Sequence, residues 1–419
     1  MEQSPVFRLC EGATARRAGV LDRWLAARLQ AVIEPAAVRL ELWDGTCSYA
    51  ATHPPIGTLV LRDRRTLIGL LVDPDVWFGE AYTAGDLEIR GDIGVVIEAL
   101  SRIALGAPTL KERIRGALAA SNTLAGARRN VRHHYDLGNA FYEQWLDRDL
   151  VYTCAYFAQP DMTLEDAQHA KFDLICRKLR LRPRELVVEA GCGWGTLALY
   201  MARQYGVRVK AFNVSREQLA YARARAAREG VADRVEFIDD DYRNVKGEYD
   251  AFVSVGMLEH VGARQFAAMS DVLRRTVRHS GRGLLHFIGR DARRPLNAWI
   301  LRRIFPGAYA PTLAEVAERV LTPAGMSVLD VENLRLHYAR TLAHWRQRFA
   351  SVEDSVRTEY GAAFQRAWEL YLAGSQAAFG TGWMQLFQVV FAPVDTPPPY
   401  WTRADMYAPQ DHECTASTR

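Results

Sequence analysis

Chemistry is first legible in a glycine-rich stretch, Val188-Glu-Ala-Gly-Cys-Gly-Trp-Gly195. Gly191, Gly193 and Gly195 let the backbone turn sharply and approach a ligand, with the N–H groups of a following helix aimed at it. Glu189, two residues ahead of the first glycine, adds a carboxylate. The G-x-G-x-G spacing differs from the G-x-G-x-x-G of a dinucleotide loop, which argues against a dinucleotide-dependent oxidoreductase. Further on, Ser215 and Gln218 fit the S-x-x-E/Q capping box, so Gln218 either closes a helix end or faces a ligand. Cys154, Glu259, His286 and Tyr338 carry side chains able to donate or accept hydrogen bonds, but nothing in their spacing singles them out. Each also has a plain alternative: Glu259-His260 can open a helix, Tyr338 can be a surface aromatic, and Cys154 a small core residue.

These groups need a scaffold. From about residue 183 the pattern alternates strand and helix, with short apolar runs at Leu186–Glu189, Val207–Val214, Arg234–Ile238, Tyr249–Val255 and Gly283–Ile288, and a helical run at Ser215–Glu229. Such alternation predicts an α/β domain with a mainly parallel sheet and its site at the C-terminal ends of the strands. The glycine loop falls where the first of these strands hands over to a helix. Ahead of this lies a smaller α+β unit, residues 1–125, with a helix near Val20–Val32 and strands at Val38–Leu42 and Thr58–Val60. Its stretch Gly79–Gly91 is polar and glycine-punctuated and reads as turn and strand. The small, polar segment Ala119–Arg129 is the expected linker. A catalytic domain is expected over 126–392 and a flexible tail over 393–419, where Pro397, Pro398 and Pro399 lead into a polar end.

Other segments name a family. Val131-Arg-His-His-Tyr-Asp-Leu-Gly-Asn-Ala-Phe-Tyr-Glu-Gln-Trp-Leu-Asp147 is followed by Tyr152-Thr-Cys-Ala-Tyr-Phe157. After the glycine loop come Ser254-Val-Gly-Met-Leu-Glu-His-Val-Gly262, Leu285-His-Phe-Ile-Gly289 and His337-Tyr-Ala-Arg-Thr-Leu-Ala-His-Trp345. In this order they resemble the cyclopropane-fatty-acyl-phospholipid synthases, including the mycolic-acid cyclopropane synthases and their methyltransferase relatives, from about 125 to 390. The resemblance implies a Rossmann-like class I methyltransferase domain and S-adenosylmethionine as methyl donor, with Glu189 and the glycine loop as its first motif. Tyr152 and Thr153 (Ser in the family) are implied as cofactor contacts. Asn213, Gln218, Asp241 and Tyr242 complete the expected cofactor set, Asn213 standing where relatives carry Thr. A bicarbonate cradle is implied at Cys154, Glu259, His286, Tyr338 and the backbone of Ile288. The family's F-P-G-G-x-L-P-S-L stretch stands here as Phe305-Pro-Gly-Ala-Tyr-Ala-Pro-Thr-Leu313, and Ala308 and Ala310 depart from it.

The implied reaction is methylation of an acyl double bond. An alkene is a weak nucleophile, so the sulfonium must be held in near-attack geometry with water excluded. Methyl transfer leaves a carbocation; bicarbonate then takes a proton from the new methyl and the cyclopropane closes. Glu259 would accept from the bicarbonate O–H, His286 and Tyr338 would donate to its oxygens, and Cys154 would position it without acting as nucleophile. The rings of Tyr156 and Phe157 are expected beside the cation. Hydride shift and proton loss from the same cation, giving a methylene or methyl branch, is the nearest alternative. Methylation of a small molecule at nitrogen or oxygen, and a non-catalytic Arg-rich binding module, are more distant ones.

Composition limits the partners. Lys+Arg 53 against Asp+Glu 49 is too mild a balance for nucleic-acid binding. The six cysteines show no CxxC spacing, so no structural metal site and a reducing, cytoplasmic setting are expected. No apolar run is long enough to span a bilayer. Unsaturated phospholipid acyl chains are thus expected to be met peripherally, at the inner face of the membrane. Asp291–Phe305, which mixes Arg with Trp, Ile, Leu and Phe, reads either as a headgroup-boundary helix, the favoured option, or as a core helix with a solvated Arg edge. Lipid handling and homodimerisation by the first unit are implied by analogy alone.

Overall fold

The computed structural model describes residues 8–9, 17–49, 53–103, 137–397 and 401–407. The expected linker at Ala119–Arg129 and positions 131–136 of the Val131–Asp147 motif lie outside the described residues.

The N-terminal elements are β1 (Arg8–Leu9), α1 (Val20–Ile33), β2 (Val38–Glu41), β3 (Thr46–Ser48), β4 (Gly57–Leu61), α2 (Arg64–Val72), α3 (Pro74–Ala84), β5 (Leu87–Arg90) and α4 (Ile93–Ile103). The strands form a mixed sheet in the order β1-β3-β2-β4-β5, antiparallel except for β2 and β4. Local chemistry sets the helix ends: the Asp63 carboxylate accepts from Thr66 N–H at the start of α2, and Gly85 closes α3 at φ 86°. The expectation for Gly79–Gly91 is corrected here. Gly79 to Ala84 complete α3, and only Leu87–Arg90 is a strand.

The second sheet follows α5 (Leu164–Lys178). It comprises β6 (Leu186–Ala190), α6 (Thr196–Tyr205), β7 (Arg208–Asn213), α7 (Arg216–Arg228), β8 (Val235–Asp239), β9 (Tyr249–Val255), α8 (Leu258–Val261), β10 (Val277–Gly289), α9 (Ala298–Arg303), β11 (Met326–Asn333), α10 (Arg335–Tyr360), α11 (Ala362–Thr381) and β12 (Gln385–Pro393). The strand order is β11-β12-β10-β9-β6-β7-β8. β8, β7, β6, β9 and β10 run parallel; β12 and β11 add an antiparallel edge. Strand order reverses between β6 and β9, which run parallel, and this opens a crevice at their C-terminal ends.

One apolar core ties the two sheets together, running from Leu40, Leu61 and Tyr82 to Trp145, Trp345 and Trp368. The α10–α11 hairpin supplies much of it, with α11 packed on α3 and α4. A second seam is made by α9. Trp299, 3% exposed, lies over Gly79, where an added Cβ would come within 2.4 Å of the indole; Arg303 Nε donates to Glu80 Oε1 at 3.1 Å. Ile304 is also buried, and Arg302 and Arg303 both face Glu80. The headgroup-boundary expectation for Asp291–Phe305 therefore fails: its apolar side chains are used inside the protein, and its Arg edge is partly paired.

The tail is not free along its whole length. α12 (Ala404–Tyr407) packs on α5, Met406 is fully buried, and Arg403 Nε donates to the buried Asp330 at 2.6 Å. An apolar anchor and an ion pair offset the ordering entropy of these residues.

The Gly79 seam gives a direct test. Alanine in a helix interior ordinarily gains ~1 kcal/mol over glycine. Here we expect Gly79→Ala to lose about 1–3 kcal/mol by overpacking against Trp299, read as a lower urea midpoint.

Candidate active site

The crevice between β6 and β9 is lined by Tyr152, Thr153, Glu189, Gly191, Gly193, Asn213, Gln218, Asp241 and Tyr242. Nine of the ten expected cofactor residues thus share one cavity; Gly195 does not line it. Gly195 is instead a packing position: it starts α6 at φ 81°, and a Cβ there would sit 2.7 Å from the Phe237 ring. Gly193, at φ 54° with open space beside it, is where the backbone lets a ligand approach.

The far wall of the loop is clamped by Asn213. Its Nδ2 donates to Gly193 O at 3.1 Å and to Gln218 Oε1 at 2.8 Å, while Oδ1 accepts from Val214 and Ser215 N–H. Only half of the expected capping box forms. Ser215 Oγ accepts from Gln218 N–H at 3.4 Å, but the Gln218 side chain turns to Asn213. Asp241 lines the cavity, yet its carboxylate is committed to Arg243, at 2.7 and 2.8 Å. The Tyr242 hydroxyl is buried without a protein partner.

Glu189 is 2% exposed, and its Oε2 has no hydrogen-bond partner. Burial pushes its carboxyl up to about 8, with Lys171 opposing. Lys171 escaped the sequence reading. It lines the cavity, is 1% exposed, and its Nζ donates to Thr153 Oγ1 at 2.7 Å. Burial brings its ammonium down to about 7, against the charges of Cys154, Asp147 and Glu189. A signal was available: in an Arg-rich chain, Lys171 and Lys178 lie seven residues apart, on one face of α5. His260 was also passed over; it lines the cavity, and burial lowers it to about 4, so its imidazole is neutral.

The expected bicarbonate residues line none of this cavity but gather behind it. Ile288 N–H donates to Glu259 Oε1 at 2.6 Å, so the Ile288 amide serves the carboxylate. Ile288 pairs across the sheet with Leu386, whose carbonyl accepts from Leu334 N–H. Leu334 O in turn accepts from Tyr338 N–H and lies 3.9 Å from Cys154 Sγ. His286 stands two residues before Ile288 on the same face of β10. The cluster adjoins the crevice through Gly256, whose N–H donates to His286 O at 2.8 Å, and through Thr153, which precedes Cys154.

The electrostatics of the cluster are those of a dry site. Burial raises Glu259 to about 7, opposed by the Ile288 amide. Burial, with Lys171 and Lys178 adding to it, holds His286 well below its ordinary value, so its ring is neutral. Burial pushes the Cys154 thiol up, which fits a positioning role and not a nucleophile. Glu259 Oε2 and His286 Nε2 are both buried without a protein partner.

The aromatic expectation is corrected. Phe157 stacks on His344, and Arg340 lies 4.6 Å from its ring centre; Tyr156 stacks on His337. The crevice is lined by the rings of Tyr152, Trp194 and Tyr242, and Tyr142, Trp145 and Trp345 pack against Tyr152 from behind. Tyr152 is held by a hydroxyl contact of 2.7 Å to Tyr371. The divergent Ala308 and Ala310 flank Tyr309, whose N–H donates to Glu259 O at 2.8 Å, so the departure falls against the Glu259 backbone carbonyl.

Lys171→Met should leave buried Glu189 without its neighbouring amine and Thr153 Oγ1 without its donor, and lower stability. The sign with pH follows from the two shifts. Lys171, lowered, adds stability as pH rises from about 7 towards its ordinary value; Glu189, raised, loses it as pH rises through about 8. The deficit of the variant should therefore widen above pH 7, measured as urea midpoints at acid and alkaline pH. A constant deficit would mean that the two groups do not compensate each other.

Residues 123–389 match the mycolic acid cyclopropane synthetase family, and residues 27–105 match a domain of unknown function. A probable fatty acid methyltransferase of Pseudomonas putida is 38% identical over 385 residues, covering 88% of this chain and 96% of its own. A cyclopropane-fatty-acyl-phospholipid synthase of Escherichia coli is 37% identical over 263 residues, covering 62% of this chain and 67% of its own. The structure of a cyclopropane synthase of Mycobacterium tuberculosis aligns at a TM-score of 0.61 and 29% identity, over 63% of this chain and 98% of that one. The parallel sheet, the glycine loop at its switch point and this match along most of the chain agree: the protein belongs to the mycolic acid cyclopropane synthetase family of S-adenosylmethionine-dependent methyltransferases.

Proposed function

We propose that this protein transfers a one-carbon unit from S-adenosylmethionine to the cis double bond of an unsaturated phospholipid acyl chain and closes it to a cyclopropane. The observation that carries this reading is the pair of orphaned buried atoms, Glu259 Oε2 and His286 Nε2. A carboxylate oxygen and a neutral imidazole N–H, both buried and without a protein partner, suit an anion that both donates and accepts one hydrogen bond. Bicarbonate meets that description, and when bound it supplies the base that a neutral histidine and an unreactive thiol do not.

The chain's own residues do the rest. The glycine loop and Glu189 would hold the methyl donor in the crevice. As the S–C bond breaks and the new C–C bond forms, positive charge moves from sulfur to the second alkene carbon. The rings of Tyr152 and its neighbours lower the energy of that charge and keep water away. Glu259 and His286 orient the base towards the new methyl. One proton leaves it, and the released C–H pair closes the ring.

Access for a lipid is supported by α1, where Val20, Leu21 and Trp24 are 87%, 60% and 54% exposed and Arg28 lies over the Trp24 ring. Apolar groups beside cations suit an anionic membrane surface. Leu21→Ser with Trp24→Ser should weaken sedimentation with anionic liposomes and leave S-adenosylmethionine binding intact; equal sedimentation would remove α1 from the lipid surface.

A second reading keeps the site and changes the product. Resolution of the cation by hydride shift and proton loss would give a branched, still unsaturated chain, and the similarity to a probable fatty acid methyltransferase over 88% of the chain favours it. Incubation with S-adenosylmethionine and liposomes of cis-monounsaturated phospholipid, with mass spectrometry of the methyl esters before and after mild hydrogenation, separates the two. A product heavier by CH2 that resists hydrogenation is the expected ring; one that takes up hydrogen is a methylated alkene. Glu259→Gln should lower turnover by ~10²-fold or more without changing S-adenosylmethionine affinity. At constant bicarbonate, wild-type turnover should rise with pH through about 7, as Glu259 ionises. No mass gain on any acyl chain would overturn the assignment.

A further inference from the structure

His286 is not isolated at the back of the site. Across the antiparallel edge, His286 of β10 stands opposite Gln388 of β12, and Gln388 stands opposite Glu332 of β11. Residues directly opposite share a sheet face, so the three side chains form a row. Lys178, at the last turn of α5, reaches this row from the helix layer. Its Nζ is fully buried, lies 2.7 Å from Gln388 Oε1 and pairs with Glu332. The outer end is closed by α12, where Tyr407 hydrogen-bonds Glu332.

The direction of every bond in this row is determined. An ammonium has only donors, so the Gln388 atom that it meets is the carbonyl oxygen. The Gln388 amide nitrogen then faces His286, 3.1 Å from Nδ1, and can only donate. Nδ1 must therefore carry the lone pair, and in a neutral ring the proton is on Nε2. Nε2 is the ring atom that has no protein partner.

We propose that Lys178 and Gln388 act as positioning residues that lock His286 in the Nε2–H tautomer, so that it presents a hydrogen-bond donor, and no basic lone pair, to the base pocket. The lock rests on the proposed function only for the identity of what fills that pocket. With the opposite tautomer, two acceptors, His286 Nε2 and Glu259 Oε2, would face the same anion. With this one, His286 supplies the donor and Glu259 the acceptor, and histidine cannot itself take the proton that bicarbonate is to remove. Gln388 touches no reacting atom. Its effect passes entirely through the imidazole.

The test reads the ring nitrogens directly. In protein labelled with ring-15N histidine, long-range proton–nitrogen correlation at neutral pH should show for His286 a pyridine-like Nδ1 and a pyrrole-like Nε2, assigned by the loss of these signals in His286→Gln. Gln388→Glu replaces the donor facing Nδ1 by an acceptor and should reverse the pattern. Turnover should then fall by ~10-fold or more with little change in the KM for phospholipid. Should that variant fail to fold, Gln388→Met removes the donor without adding charge, and the two tautomers should then mix. Wild-type His286 protonated on Nδ1, or a Gln388→Glu variant that keeps Nε2–H, overturns the proposal. If wild type gives no lipid product, the proposed reaction falls, and the nitrogen signals still decide the tautomer.

Discussion

Two ammonium groups on one face of α5 organise this molecule. Lys171 and Lys178, two helical turns apart, both point into the dry interior, and burial opposes the charge of each. A buried ion costs several kcal/mol unless hydrogen bonds and counter-charges meet it. Lys171 finds Thr153 Oγ1 and the field of Glu189; Lys178 finds Gln388 and Glu332. Replacing such pairs with apolar residues commonly leaves stability unchanged or improved, so net stability is a poor account of them. Orientation is a better one. Each lysine holds the wall of a different chamber, and α5 keeps the two walls at a fixed spacing.

The chambers follow from the topology. Strand order reverses between β6 and β9, and the cofactor crevice opens there. The antiparallel addition of β12 and β11 beyond β10 makes the second chamber, because it brings Gln388 and Leu386 alongside His286 and Ile288. A purely parallel sheet ending at β10 would leave the His286 ring exposed on one side. The α10–α11 hairpin then covers both chambers and carries Tyr338, Trp345 and Tyr371 into place. That roof also packs on α3 and α4, so the N-terminal sheet and the active site share a single core.

What could be read from the sequence was local. Short apolar runs located four of the five parallel strands to within a residue at each end, though β10 starts at Val277, ahead of the expected Gly283, and a loop that needs positive φ at Gly191, Gly193 and Gly195 announced itself by its glycines. Readings that depended on distant partners failed. Gly79 looked like a turn signal because nothing nearby in the chain reveals that Trp299 lies across it. Trp299 and Ile304 looked like membrane-facing groups for the same reason. Phe157 looked available to a cation until Arg340 and His344 were found on its faces. Lys171 was missed because lysines among charged helix residues ordinarily read as solvated, although its spacing from Lys178 was there to be noticed. The conformation of Arg403 and Met406 was hidden because its causes, Asp330 and α5, lie far back in the chain.

The two chambers are separated by a wall one residue thick. Thr153 faces the cofactor crevice and meets Lys171, while the next residue, Cys154, faces the base cluster. His260 lines the crevice, while Glu259 beside it turns to Ile288. Gly256 belongs to the crevice by position, and its N–H holds the His286 backbone. Crevice and base cluster are thus built from neighbouring residues of the same backbone segments, and in the proposed reaction this would couple the placement of methyl donor and base. In such an arrangement the side chains define which groups are present, and backbone placement defines how far the proton acceptor stands from the new methyl. A ring and a branch arise from one cation, and they differ in whether the base reaches that methyl before a hydride moves. Residue identity at Glu259, His286 and Tyr338 is therefore common ground between the two outcomes. Their choice falls to the segments that set the wall, above all Ala308–Ala310 against the Glu259 carbonyl, where this chain departs from the family pattern.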